Sequence, residues 1–579
     1  MPALKGKTGC ERAFFVVFFR KMMEEIAMKK LICMLLVLSL AASLLAGCQL
    51  PELPDPDVET DVTEASKPLS LEAMKEQVRN QWTAYKDMIY ARPDVDALEA
   101  MVQDAADAAQ QGDVELTMDM VYEFYDGYDW FYTHLSLADI RYSGDLTDEY
   151  WAEEYNYCME ASVRVDAALE DLYYTLAASP ILEELESEAY FGKGFFDAYQ
   201  GENVWDEGYT ALLEQEAQLQ NRYYELSEMA LEYRYGTEEY MEACGNEMVE
   251  LMVQLIALRQ EIAAYLGYTD YVQFATDYYY YRDYTHAQAM DYLAEIRDEL
   301  VPMYRQLNNS MAFYIDYGRA TEAQSYEYVR SMAENMGGTV ADAFARLDEA
   351  GLYDIRYSEN KYNSSFEVYL TSYNSPFVFM NPAGDKYDHL VFAHEFGHFC
   401  NDYAARGCYA GIDVLEVFSQ TMEYLSLCYA DGGEELTRMK MWDSLCLFVE
   451  QSAFASFEMQ MYGLTGEELN AENLRALYAR VAQEYGFDSV GYDDWEFVGI
   501  THFYTSPMYI MSYIVSNDTS MQIYQLELEN EGMGLACLEK NLDTDCYYFL
   551  EFVEDAGLVS PFAEGRVATI RQTLEDGLR

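Results

Sequence analysis

The chain has 579 residues, of which 51% are apolar, enough for a large buried core and too apolar for a disordered chain. Its formal net charge of -67 repels nucleic acid and anionic membrane surfaces, which excludes both as electrostatic partners. Histidine is scarce, at six residues, so any histidine motif stands out against the background.

Met28-Lys29-Lys30 is basic, and Leu31 to Leu45 is an apolar run too short to span a membrane stably. It ends in Leu45-Ala46-Gly47-Cys48. The basic, apolar and small-plus-Cys parts, in that order, resemble a bacterial lipoprotein signal. That likeness implies a lipid on Cys48, which becomes the first mature residue, and an extracytoplasmic protein anchored to the bacterial cell membrane. Residues 1–27 fit no part of such a signal, so Met28 reads as the start. Residues 48–70, rich in Pro and acid, read as a tether. Eight cysteines remain beyond Cys48, without a Cys-x-x-Cys pair. Cys400 with Cys408 is a conceivable disulfide, and buried free thiols are the commoner outcome.

From about residue 71 to 355 apolar residues recur at helical spacing, as in Leu71, Met74, Val78 and Trp82. Residues 151–178 and 209–233 are further helices. Near 356 the pattern changes. Phe366 to Leu370 and Phe377 to Met380 are short β-prone runs joined by a turn at 371–376, which predicts a hairpin. A helix starts near Asp388, which is suited to cap it, and helical periodicity then continues almost to the C-terminus. The fold class predicted is mainly α with a small β ribbon beside the motif helix. The chain divides into a 1–47 extension and signal, the 48–70 tether, a 71–200 helical region and a 201–579 catalytic region.

Residues 394–398 read His-Glu-Phe-Gly-His. On a helix, positions i and i+4 share a face, so His394 and His398 can hold one tetrahedral zinc ion per chain. Glu395, about 100° round the helix, can reach the attacking water as its base. Gly397 costs the helix about 1 kcal/mol relative to Ala, which predicts a close packing partner. A catalytic zinc site wants a third protein ligand and an open position. Asp413, Glu416 and Glu423 are the candidates. Glu416, Gln420 and Glu423 form a polar stripe on an otherwise apolar helix, which favours Glu416 as ligand, with Glu423 orienting a metal-bound His. Further on, Tyr509 and Tyr513 are four apart, behind Pro507 and the isolated His502.

These segments together resemble the M3 family of zinc metallopeptidases, and within it bacterial oligoendopeptidase F. Ser375 to Asn381, Asp388 and His394-Glu395-Phe396-Gly397-His398 carry the likeness first. Glu416-Val417-Phe418-Ser419-Gln420 is similar to the family's ligand-bearing Glu-x-Pro-Ser-Gln, with Phe418 in place of Pro. His502-Phe503-Tyr504 with Tyr509 and Tyr513 is similar to its late His and Tyr cluster. Ile140-Arg141-Tyr142-Ser143 and Tyr150 to Tyr157 are similar to its N-terminal region. The stretch between His398 and Glu416 is several residues shorter than the family's, and Asn363-Ser364-Ser365-Phe366 stands where a Gly-rich loop is usual.

The resemblance implies a helical, two-lobed molecule with a deep channel that cleaves short unstructured peptides. It makes 375–381 an edge strand, with Phe377, Val378 and Phe379 contacting substrate. It implies oxyanion donation by Tyr513 helped by Tyr509, and a substrate contact by His502. The alternatives are a dipeptidyl carboxypeptidase or metallocarboxypeptidase of similar fold, or a non-catalytic surface peptide-binding lipoprotein. The intact Glu395 argues against the last.

Overall fold

The computed structural model describes residues 83–579 apart from 188, 200–206, 231–232, 235–236, 408–409 and 545. Cys48, the signal, the tether and the stripe 71–82 lie outside the described residues. The described residues are mainly helical with one three-stranded sheet. They form two compact units, one from 83–199 and Ala345–Asn381, the other from 207–344 and Pro382–Arg579. No helix among the described residues is long and apolar enough to cross a membrane.

In the first unit three helices pack on one another: α1 (Val95–Gln110), α2 (Val114–Gly144) and α3 (Glu149–Ala177). Each starts where an Asp side chain accepts from the first turn: Asp94 from Ala97, Asp113 from Leu116, and Asp148 from Tyr150 and Trp151. Phe124, Tyr128, Trp130 and Tyr173 are buried between them.

The hairpin predicted near 366–380 is present as β2 (Ser365–Leu370) antiparallel to β3 (Ser375–Met380), with Phe366 opposite Phe379. Asn374, at φ 47°, makes the turn between them. A two-residue strand, β1 (Tyr353–Asp354), pairs parallel to β3, so the order is β1-β3-β2. The segment 375–381 is therefore the central strand, and β2 lies at the edge. This corrects the edge-strand expectation. Phe377, Val378 and Phe379 are fully buried, and Val378 N–H donates to Leu352 O at 3.0 Å. Their side chains and hydrogen-bonding groups are used inside the sheet, which leaves them unsuited to bind substrate directly.

The second unit holds α4 (Glu207–Ala230), α5 (Asn246–Tyr265), α6 (His286–Asn308) and α7 (Glu322–Met336). Thr285 with Gln288 and Thr321 with Gln324 form capping boxes at the starts of α6 and α7. Next come α8 (Tyr387–Ala405), α9 (Ile412–Tyr429), α10 (Thr437–Cys446), α11 (Ser452–Met461), α12 (Thr501–Thr505) and α13 (Ile510–Glu529). α9 is packed between α8 and α13 and is buried along almost its whole length. Asp388 is not the cap of α8. It lies in the first turn and accepts from the N–H groups of Ala383, Gly384 and Asp385, tying the incoming loop to the helix. The seven described cysteines beyond Cys48, including the buried Cys400, are free thiols, and Cys408 lies outside the described residues.

Candidate metal centre

The close approach of α8 and α9 starts with Gly397. A Cβ there would stand 2.6 Å from Ser419 Cα and 2.7 Å from Phe418 O, so only glycine lets the two backbones meet. The same contact brings the histidines of α8 over Glu416 of α9. Glu416 Oε2 lies 3.6 Å from His394 Nε2 and 3.9 Å from His398 Nε2. All three donor atoms fall within 4.8 Å of one another. The histidine side chains keep 25% and 19% of their surface, whereas Glu416 keeps 2%, so the cluster is rooted in the core and open on one side.

His394 and Glu416 are each held by further partners. His394 Nδ1 lies 2.8 Å from Glu423 Oε1, and Lys440 Nζ donates to Glu423 Oε2 at 2.8 Å. Burial opposes ionisation of Glu423, but Lys440 and His394 outweigh it and hold its pKa below the usual value. An ionised carboxylate can only accept, so Nδ1 carries a proton, and Nε2 is the nitrogen that faces the cluster and would bind a metal by giving up any proton of its own. For His394 itself burial opposes protonation, yet the Glu423 hydrogen bond and the charges of Glu395 and Glu416 raise its pKa to about 9. Lys440 also donates to Asp443 at 3.2 Å, and Tyr387 OH donates to the other Asp443 oxygen at 2.9 Å. On Glu416, Ser419 Oγ donates to Oε2 at 3.0 Å and Tyr509 OH donates to Oε1 at 3.0 Å.

Asp413, the competing ligand on spacing, is consumed elsewhere. It accepts from Arg282 Nε at 3.1 Å and Tyr284 OH at 2.8 Å, and from Ser512 Oγ. Gln420 does not face the cluster either. Its Nε2 donates to Ser516 Oγ of α13 at 3.1 Å, so the polar stripe serves two targets and not one.

His502, Tyr509 and Tyr513 do come together. Tyr509 and Tyr513 ring centroids are 5.0 Å apart, and His502 lies 5.5 Å from the first and 5.9 Å from the second. Burial, followed by the charge of Glu416, holds both tyrosines well above the usual pKa, so both remain hydroxyl donors. The charges of Glu416 and Glu395 both add to the upward shift at Tyr513. Tyr509 stands beside Tyr513, and its hydroxyl also reaches Glu416. His502 is pushed down to about 4 by burial, and its Nε2 has no hydrogen-bond partner among the described residues.

Lys440, Asp443, Ser512 and Arg282 were not legible as parts of the site. Lys440 follows Arg438 by two residues and is flanked by Met439 and Met441, so no local pattern marks it as part of the site.

Two imidazole nitrogens and a carboxylate oxygen, one nitrogen with its tautomer fixed, are the donor set of a borderline-soft divalent metal. Residues 85–202 match the Peptidase M3 N-terminal domain. No curated protein matches the sequence. Among solved structures, a protein assigned as oligoendopeptidase F is similar with a TM-score of 0.70 and 20% identity, over 86% of this chain and 98% of that one. PZ peptidase A with an inhibitor gives 0.70 and 20%, over 85% and 99%. A protein of Bacillus anthracis assigned as oligoendopeptidase F gives 0.67 and 21%, over 86% and 98%. Residues 85–202 thus resemble the N-terminal domain of M3 peptidases, and the chain as a whole has the fold of the solved oligoendopeptidase F-like structures.

Proposed function

We propose that the chain is a zinc-dependent endopeptidase that hydrolyses short peptides at the outer face of a bacterial membrane. The observation that carries this is the convergence of His394 Nε2, His398 Nε2 and Glu416 Oε2, with Glu395 on the same helix as the two histidines. Zinc bound by those three atoms would polarise the scissile carbonyl and make water more acidic. Glu395 takes the proton from the attacking water and passes it to the leaving amine. Tyr513 donates to the carbonyl oxygen as negative charge grows on it. His502, neutral and with Nε2 unpartnered among the described residues, is suited to contact the peptide backbone. Short peptides are the substrates in this reading because the structures it resembles are oligoendopeptidases.

The membrane location is supported by the basic Met28-Lys29-Lys30, the apolar run Leu31 to Leu45 and the closing Leu45-Ala46-Gly47-Cys48. Cys48→Ala should release the protein from the membrane or leave it unprocessed. The chemistry is tested by zinc analysis of the purified protein together with digestion of quenched, terminally blocked peptides. Wild type should hold one zinc and cut internal bonds, and His398→Ala should lose metal and turnover together. Cleavage confined to C-terminal dipeptides or single residues would replace the endopeptidase by an exopeptidase. Zinc binding with no cleavage of any peptide would make the protein a binder.

A further inference from the structure

The segment 503–509 carries Tyr509 to Glu416, and buried side chains grip its backbone at several points. Arg259 Nη1 donates to Phe503 O at 2.6 Å, and the same guanidinium donates to Tyr504 O. Tyr280 OH donates to Pro507 O at 2.9 Å. Met508 N–H donates to Glu458 Oε1 at 2.8 Å, and Met508 O accepts from Arg282 Nη1 at 2.9 Å. Arg282 Nη2 donates to Ser512 Oγ at 2.9 Å, while Nε reaches Asp413, three residues before Glu416 on α9. Glu458 and Arg282 are themselves buried.

What this grip opposes is visible in the backbone. Met508 has φ 70°, a left-handed conformation that a residue with a Cβ disfavours. Tyr281, beside Arg282, is also left-handed at φ 47°. Backbone strain of this kind persists where its surroundings over-determine it, and it gathers at functional sites. If Met508 relaxed to negative φ, the 507–508 peptide would turn and the Tyr509 side chain would leave Glu416.

We propose that Glu458 is a positioning residue of the metal site: by holding Met508 N–H it locks the left-handed turn that seats Tyr509 on Glu416. Arg282 does the same work from the carbonyl side and ties the turn to α9. The inference rests on the reading of Glu416 as a metal ligand. Burial pushes Glu458 up to about 8, so near neutral pH it is a protonated acceptor, for which glutamine is a close substitute.

The test is zinc affinity of the full chain, measured by competition with a chromogenic chelator. Wild-type zinc binding that His398→Ala abolishes secures the underlying reading independently. Against that reference, Glu458→Ala should weaken zinc binding by about tenfold, the loss typical for a partner of a ligand. Glu458→Gln should stay within about threefold of wild type, and Met508→Gly placed on Glu458→Ala should restore most of the loss, because glycine adopts this φ freely. In a Tyr509→Phe background Glu458→Ala should change nothing further. Met508→Val, which keeps the acceptor but resists positive φ, should weaken zinc as Glu458→Ala does, and it serves if the alanine variant does not fold. Unchanged affinity in both Glu458→Ala and Met508→Val overturns the inference. So does an equal loss in the Tyr509→Phe background, which would make Glu458 a structural residue only.

Discussion

Lys440 Nζ lies 2.8 Å from Glu423 Oε2, while the other oxygen of that carboxylate lies 2.8 Å from His394 Nδ1. A fully buried ammonium therefore stands behind the histidine. Replacing it with methionine leaves Glu423 with His394 and without its buried cation, and breaking a buried pair from one side costs about 3–5 kcal/mol. Lys440→Met should lower the unfolding free energy by that order and weaken zinc binding by about ten- to a hundredfold. Denaturant unfolding and chelator competition measure the two. Unchanged metal affinity would show that Glu423 orients His394 without help.

Glu395→Gln keeps the shape of the side chain and removes its basicity. Zinc content should be unchanged, because none of the three converging donor atoms belongs to Glu395. Turnover should fall by about 10²–10⁴-fold, the range for a lost general base. A variant that retains a tenth of the wild-type rate would remove Glu395 from the proton transfer.

Gly397→Ala is ordinarily a helix-stabilising change of about 1 kcal/mol. Here the new methyl meets the backbone of α9 at 2.6 and 2.7 Å, which no side-chain rotation relieves. The overpacking cost of about 1–3 kcal/mol should win, with a lower Tm and weaker zinc binding as α8 and α9 are forced apart. A rise in Tm would mean that the helices give way without cost.

Local geometry explains what the sequence made legible. His394, Glu395 and His398 are fixed by helical spacing, and Gly397 by its cost in a helix, so the metal helix could be read directly. Glu416 and Asp413 lie one turn apart and could be separated only by partners that are remote in sequence: Arg282 and Tyr284 for Asp413, Tyr509 for Glu416. Gln420 misled because a helix buried all round can aim its polar side chains at two neighbours. The central position of β3 was hidden by β1, since a two-residue strand has no periodicity to detect. Lys440 and Glu458 act only through tertiary contacts, and no local pattern announces them.

Glu458 also sets a pH dependence of stability. Burial raises its pKa from 4.5 to about 8, partly offset by Met508 N–H and the two arginines. A group whose folded pKa is raised contributes stability that is complete below its unfolded pKa and is lost as pH rises through the folded one. The window is therefore pH 4.5 to about 8. Glu458→Gln cannot ionise, so its Tm relative to wild type should climb between pH 5 and 9, as differential calorimetry would show. Parallel Tm curves for the two proteins would mean that Glu458 is ionised in the folded state.

The two tyrosines of the cluster should separate by what each variant loses. Tyr509 OH donates to Glu416 Oε1 at 3.0 Å, so its job is to fix a ligand. Tyr513 is half-buried beside Tyr509, and in the proposed reaction its hydroxyl is the donor to the reacting carbonyl. Tyr509→Phe should weaken zinc by about tenfold or more, since the loss is of a ligand's partner. Tyr513→Phe should leave zinc affinity alone and lower kcat by about 10²–10³ with little change in KM, because the donor acts only on charge that develops in the transition state. Neither change removes ring volume, so far-ultraviolet circular dichroism should be unaltered. The decisive measurement is kcat at saturating zinc beside the zinc dissociation constant for each variant. If Tyr509→Phe lost kcat at full zinc occupancy while Tyr513→Phe did not, Tyr509 would be the oxyanion donor and its contact with Glu416 would have to break on substrate binding. If neither variant changed either quantity, the cluster would be packing, and His502 would be left as the remaining candidate for a contact opposite the metal.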